Sequence, residues 1–344
     1  MGGIAATSSV VVVGSRDPGD KLDLFQGFDA KTGDLLWQYS YPAEGQLDYG
    51  NSPRATPLIL GPIVYTLGAF GDVACLDIEA GIPLWTKNYV RDFGGRQPQW
   101  GYSASLLAEG ENLVVHPGGD TGLAVLDGIT GALVWKAESE APAYASPVFA
   151  EIDEKRFVIG MEAKAVVGWE RGSGKSWRIE PKVPGDFGVP TPVIVENQLF
   201  LTSEGNGTRR HELSSLFTSK TVAAHHRRTA PDSHTPVSVG SQLLVAHNGL
   251  WGLRQSDLEA NWHLKDRRFF GYASIIATED RALVMNSSAQ LLLLEFDESS
   301  AKVVSELSLS ESGVKTLSHP ALVGTKLFAQ VGQRLICLEL TPVK

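Results

Sequence analysis

Three stretches of the chain are copies of one phrase: FDAKTGDLLW (residues 28–37), LDIEAGIPLW (76–85) and LDGITGALVW (126–135). Each places an apolar residue before Asp, a Gly four positions after the Asp and a Trp four positions after the Gly. A shortened copy follows in WERGSGKSW (169–177), and LRQSDLEANW (253–262) keeps the Trp spacing without the Gly. Asp opens a tight turn by accepting backbone N–H groups, and Gly supplies the positive φ that bulkier residues resist, so each phrase reads as a β-hairpin. A sequence built on one repeated hairpin folds as an array of equal units.

The period of the array comes from a second marker, a small or polar residue leading into an apolar run. It recurs as TPLIL at 56, SLLAE at 105, SPVFA at 146, TPVIV at 191, TPVSV at 235, SIIAT at 274 and HPALV at 319, a spacing of 39 to 49 residues. That matches the roughly 40 to 50 residues of a four-stranded propeller blade. Eight β-rich runs follow: VVVV (10–13), IVYT (63–66), LVVH (113–116), FVIG (157–160), LFLT (199–202), LLVA (243–246), LVMN (283–286) and LFAQ (327–330). No segment longer than a turn shows helical periodicity. The expected fold is all-β, an eight-bladed β-propeller forming a single domain over 1–344, with blades at about 1–48, 49–98, 99–140, 141–184, 185–228, 229–268, 269–313 and 314–344. The last unit, ending LICLELTPVK, stops after its third strand, and the amino end begins too late to lend a fourth. Blade eight is therefore expected to have three strands, with the chain short at its start.

Composition narrows function by exclusion. A net charge of -9 repels phosphate backbones and anionic lipid, which argues against nucleic-acid partners. No run approaches the roughly 18 apolar residues of a membrane span, and the start, MGGIAATSSVVVVGSRD, has no signal-peptide pattern. Cys75 and Cys337 fall at one position of blades two and eight, and no bond is expected between them.

With these hairpins in hand, the chain resembles the PQQ-like β-propeller family, whose members include quinoprotein dehydrogenases and the scaffold subunit of the outer-membrane assembly machine, BamB. The stretches RATPLILGPIVYTLGAFGDVACLDIEAGIPLW, DFGGRQPQWGYSASL, FFGYASIIATEDRALVM and SHPALVGTKLFAQVGQRLICLEL are similar to exported PQQ-like repeat proteins of planctomycetes and related bacteria. The resemblance implies a periplasmic or otherwise extracytoplasmic protein. Its dehydrogenase branch implies a quinone held by a vicinal cysteine pair, a calcium ion on carboxylate and amide ligands, and a catalytic Asp. This chain has no Cys-Cys pair and no recognisable calcium constellation, so no PQQ, metal or catalytic residue is expected. The tryptophans Trp37, Trp85, Trp135, Trp177 and Trp262 are expected to dock between adjacent blades, each contributing about 3 to 5 kcal/mol.

Several local patterns have plainer readings. GSGKS (172–176) has Trp169 where a phosphate loop needs Gly, and is the turn of blade four. DSH (232–234) has triad residue types, but neighbours in an extended chain point apart. DPGDKLD (17–23) has calcium-like spacing and reads as a hairpin tip. The segment 206–234, with four arginines and four histidines, reads as a solvated, irregular outer loop; an anion or metal patch at His225, His226, Arg227 and Arg228 is the lesser reading.

The candidate site is the set of connections that cross one face from an outer strand to the next inner strand. Tyr49, Asn51, Arg54, Arg96, Gln99, Trp100, Tyr102, Tyr144, Phe187, His234, Phe270, Tyr272 and His319 are expected at the channel mouth, with binding roles favoured for Arg54, Arg96 and His234. Tyr, Trp and Arg are enriched where proteins hold partners. The expected function is a non-catalytic, monomeric scaffold for a protein, peptide or glycan; the alternative is a PQQ-dependent alcohol or sugar dehydrogenase.

Overall fold

In a computed structural model, residues 2–310 and 313–340 are described, and they form eight antiparallel sheets arranged as the blades of a β-propeller. Seven sheets have four strands in sequence order, and the eighth, over 321–339, has three. Helix is confined to Tyr89–Phe93 and two 3₁₀ turns. Contacts divide the chain into two compact units, residues 1–142 with 318–344, and residues 143–317.

The markers open innermost strands, from Leu58–Leu60 to Ala321–Val323, and in three of them the hydroxyl does a second job. Ser105 Oγ accepts the N–H of Thr56, Thr191 Oγ1 that of Ser146, and Thr235 Oγ1 that of Thr191. Among the described residues no ladder joins the inner strands of neighbouring blades, and a short side-chain acceptor satisfies an N–H that would otherwise be orphaned. Between adjacent blades lie separate apolar cores. One joins Tyr65, Cys75 and Leu113 of blades two and three, and another joins Phe157, Ile159 and Leu199 of blades four and five. Cys75 is buried, its thiol pushed up to about 11 by desolvation, while Cys337 is exposed; both are free.

The repeated hairpin follows from its residues. Asp29 Oδ1 accepts the N–H groups of Lys31 and Thr32, and Gly33 N–H returns to the Asp29 carbonyl. Asp77 and Gly81 repeat the arrangement. Where phrase and Trp are nine residues apart, the third and fourth strands are out of step by one, with bulges at Gly27/Phe28, Cys75/Leu76, Val125/Leu126 and Gly252/Leu253. The shortened copy in blade four pairs without a shift, Gly168 opposite Trp177.

Gly in the phrase has a reason beyond its φ. The Trp37 ring lies over Gly81 of the next blade, where an added Cβ would fall 2.6 Å from it, and Trp37 Nε1 donates to the Ile78 carbonyl at 2.7 Å. Trp85 likewise covers Gly131 and donates to Gly128. Trp262 donates to Asp297. Blade five breaks the pattern on both sides. Its third strand, Gly207–Glu212, runs into a 3₁₀ turn rather than the phrase, so Trp177 packs on Leu213 and Leu216 and its Nε1 finds no acceptor among the described residues. Its fourth strand, Ala224–His226, carries no Trp, and the Gly position of blade six is taken by Leu258, at φ 61, whose buried side chain fills the vacant socket beside Phe200 and Leu253. Leu258→Gly is expected to destabilise by about 2 kcal/mol in thermal denaturation, because the lost buried side chain outweighs the relieved left-handed strain; a gain in stability would contradict the filling role.

Segment 206–234 departs from expectation. It is not one irregular loop but the third and fourth strands of blade five, with Thr208, Arg209 and Arg210 paired to His226, His225 and Ala224. Polar residues obscured the pattern because this sheet face does not have to be apolar throughout.

The last strand described in blade eight, Arg334–Glu339, pairs among the described residues only with Lys326–Val331. A cleft of about 770 Å³ lies between this strand and the blade-one turn, bordered by Cys337, Leu335, Ala30 and Gly33. Here, among the described residues, nothing lies within 4 Å of a Cβ placed on Gly33, and Lys326 Nζ donates to the Ala30 carbonyl, the counterpart of Ile78 and Gly128.

Candidate functional site

Two connections of the first unit meet at an aromatic pair. In the connection 43–57, buried Asn51 accepts the Leu47 N–H through Oδ1 and donates through Nδ2 to Asp20 and to the Gly45 carbonyl. Arg54 Nη2 donates to the carbonyls of Asp48 and Gly50. These bonds close the loop tightly enough to hold Tyr49 at φ 66 on its tip, 86% exposed. The edge of one ring meets the other at 5.9 Å where Tyr49 touches Trp100 of the next connection, a favoured T-shaped pairing.

That second connection begins at Tyr89–Phe93, a short helix capped by Asn88 Oδ1 on the N–H groups of Val90 and Arg91 and ended by Gly94 in the left-handed region. Arg96 N–H then bonds the Pro117 carbonyl, while its exposed guanidinium makes no hydrogen bond or ion pair among the described residues. Gln99, three residues on, is exposed as well. Tyr102 closes the loop from below, its hydroxyl donating to Pro117 and its ring packed edge-on against Tyr89 at 4.9 Å. Tyr49 and Trp100 thus meet across two neighbouring connections, the second of which also presents Arg96 and Gln99 to solvent, on loops braced by Asn51, Arg54 and Tyr102.

Several expected site residues belong to the bracing instead. Asn51 and Tyr102 are buried, so neither meets a partner from solvent. Arg54 does not present a free cation, since its Nη2 is spent on two loop carbonyls. In the second unit His234 is 1% exposed, and its Nδ1–H donates to the Ala273 carbonyl, stapling blade six to blade seven. Tyr272 is half-buried, and desolvation raises its hydroxyl pKa. Tyr144 is half-buried with its N–H on the Gly188 carbonyl, whereas Phe187 and Phe270 are exposed. His319, in the first unit, is reached by solvent, yet protein crowds it closely enough to lower its pKa. Sequence position alone did not separate these roles, because a connection both braces itself and presents a surface with the same residue types.

The bracing reaches into a buried network that sequence reasoning missed. Arg16 donates to Asp23 Oδ1 at 2.7 Å and to Asp20 Oδ1 at 2.8 Å, and Tyr41 donates to Asp23 Oδ2. Burial raises the Asp23 carboxyl to about 6 in spite of Arg16. Asp17 accepts the N–H groups of Gly19, Lys21 and Leu22, so the first carboxylate of DPGDKLD serves the hairpin tip, while Asp20 and Asp23 serve the Arg16 network. Among the described residues no three His, Cys, Asp or Glu side chains stand close enough to hold a metal ion, and no helix is long and apolar enough to cross a membrane.

Comparison with known proteins gives the following. The profile of a family described as outer membrane protein assembly factor BamB matches residues 20–208, more than half of the chain. The outer membrane protein assembly factor BamB of Aliivibrio fischeri is 38% identical over 60 residues, which is 17% of this chain and 16% of that protein. The structure of BamB from Moraxella catarrhalis superposes with a TM-score of 0.67 at 15% identity, covering 98% of this chain and 92% of that one. A quinohemoprotein alcohol dehydrogenase from Comamonas testosteroni superposes at 0.64 with 10% identity, covering 95% of this chain and 69% of that one.

Proposed function

For a chain that belongs to the BamB family of PQQ-like propellers, we propose a non-catalytic scaffold that works outside the cytoplasm and holds a protein, peptide or glycan partner through the Tyr49–Trp100–Arg96 surface. The observation that carries this is the pair of exposed Tyr49 and half-buried Trp100, with the exposed Arg96 guanidinium on the same connection as Trp100 and without a hydrogen bond or ion pair among the described residues. Aromatic faces and an arginine fork at a surface contribute most per residue to association, because little side-chain entropy is lost and the cation gains directed hydrogen bonds. The braced loops add preorganisation, so a partner does not bear the cost of ordering them. The name of the A. fischeri relative, an outer membrane protein assembly factor, agrees with a protein as partner and with a place at the cell envelope.

A photo-crosslinking residue at position 100 tests the reading in the producing cell. A defined partner is expected to be trapped there, and Tyr49→Ala with Arg96→Ala to reduce its yield about tenfold, as the loss of two interface anchors would. No Arg96-dependent adduct, together with a bound-quinone spectrum and dye reduction with alcohols or sugars after loading with PQQ and calcium, would replace the scaffold by a dehydrogenase.

A further inference from the structure

A cleft of about 340 Å³ opens in the second unit where the paired strands Gly207–Glu212 and Ala224–His226 approach the connection at 182–186. Arg209 lines it from the middle of its strand, directly across the ladder from His225. Its side chain is anomalous. The residue is 6% exposed, its Nε has no hydrogen-bond partner, and it forms no ion pair among the described residues. A guanidinium stays charged in nearly any surroundings, and burying one without a counter-charge is strongly unfavourable. Burial lowers its pKa, and Asp186 is the one carboxylate that acts against this. Asp186 is committed elsewhere, to the N–H of Gly205 at 2.7 Å and to the side-chain amide of Asn206. At the rim, Lys182 and Arg227 are exposed and add two further cations, against the single carboxylate of Glu204.

We propose that this cleft is a binding site for a phosphate or sulfate group, with the Arg209 guanidinium as its buried anchor and Lys182 and Arg227 completing the charge at the rim. A tetrahedral oxyanion supplies several acceptors to a planar guanidinium fork and carries enough charge to answer more than one cation. The cleft has room for on the order of ten waters, more than a bare ion needs, so the group is carried on a small molecule such as a sugar. In a chain of net charge -9, a concave patch of opposite sign selects anions locally that the protein as a whole repels. The site lies on other blades than the Tyr49–Trp100 surface and stands whether or not that surface binds a partner.

Calorimetry and thermal shift with inorganic phosphate, inorganic sulfate and glucose 6-phosphate, each against sodium chloride of equal ionic strength, test it. At a hundredfold excess over the dissociation constant, the bound anion is expected to raise the melting temperature by about 5 °C. Arg209→Met is expected to lose that shift and to melt higher than the parent in anion-free buffer, since an unanswered buried charge has been replaced by an apolar chain of similar reach. The exposed pair Lys182→Ala with Arg227→Ala is expected to weaken binding about tenfold without changing the anion-free melting temperature, which keeps a readout should Arg209→Met fold poorly. Tighter binding of glucose 6-phosphate than of phosphate assigns the remaining volume to the carrier; equal binding assigns the site to the free ion. No heat or shift beyond chloride, or a shift that survives in Arg209→Met, would overturn the proposal.

Discussion

Gly81→Ala is expected to destabilise the protein by about 2 to 5 kcal/mol, and Gly33→Ala by only about 1 to 2 kcal/mol, although the two glycines occupy the same position of the same repeated phrase. Both are left-handed, at φ 67 and φ 78, so an alanine bears the same backbone strain at each. They differ in what lies above them. At Gly81 the new methyl meets the Trp37 ring at 2.6 Å, whereas at Gly33 it meets open cleft. Trp37 cannot easily retreat, because it packs among Val12, Phe25 and Leu76 and its Nε1 is held by Ile78. Trp37→Ala alone is expected to cost about 3 to 5 kcal/mol. In the double variant the methyl enters the space the ring has left, so the combined cost is expected to fall short of the sum by at least about 1 kcal/mol. Thermal denaturation of the parent and the four variants measures all of this. Equal losses for Gly81→Ala and Gly33→Ala would mean that the docked tryptophan does not determine the glycine, and that φ alone does.

The same contrast explains which parts of the molecule were legible in advance. The eight blades, their inner strands and the three-stranded last sheet follow from spacing, and spacing survives in the sequence because a register is an integer. Even the absent bulge in blade four is written there, as one residue fewer between Trp169 and Trp177. What spacing does not record is occupancy. Leu258 looks like decay of the phrase until the missing Trp of Ala224–His226 is known, when it becomes the filler of an empty socket. Segment 206–234 was misread for a related reason: strand pairing is a backbone property, and polar side chains at Arg209, Arg210 and His225 do not forbid it. In the candidate site, the residue types at 49–54 and 96–102 were visible, but the division between Tyr49 outward and Asn51 inward is set by a few loop hydrogen bonds. No periodicity encodes those. His234 was misassigned on the same ground, since a histidine before an inner strand serves a carbonyl of the neighbouring blade as readily as a ligand.

Three buried groups, His116, His211 and Asp23, are together expected to lower stability by roughly 3 kcal/mol as the pH is lowered from about 7 to about 4, a balance of opposed titrations. His116 is buried with Nε2 2.8 Å from Ser139 Oγ, and burial lowers its pKa to about 4. His211 is lowered to about 4 as well, by burial first and the Arg209 charge second. Both pKa values lie below the unfolded value near 6.5, so between these limits the unfolded chain binds more protons and each histidine removes about 3 kcal/mol on acidification. Asp23 runs the other way. Its folded pKa near 6 exceeds the unfolded value near 3.8, so the folded chain takes up the proton first and regains about 3 kcal/mol over the same window. Two losses against one gain leave a net fall from these three groups, and the other histidines lowered by burial, His225, His226, His247, His263 and His319, act in the same direction. His116→Gln, which keeps a side-chain partner for Ser139, is expected to reduce the acid loss by about 3 kcal/mol. Asp23→Asn is expected to steepen it, because the opposing gain disappears while the histidines remain. Melting temperatures at pH 8, 6 and 4.5 for the three proteins decide the matter. An unchanged pH slope in His116→Gln would place the acid sensitivity elsewhere, and a shallower slope in Asp23→Asn would show that the Arg16 network holds this carboxyl ionised.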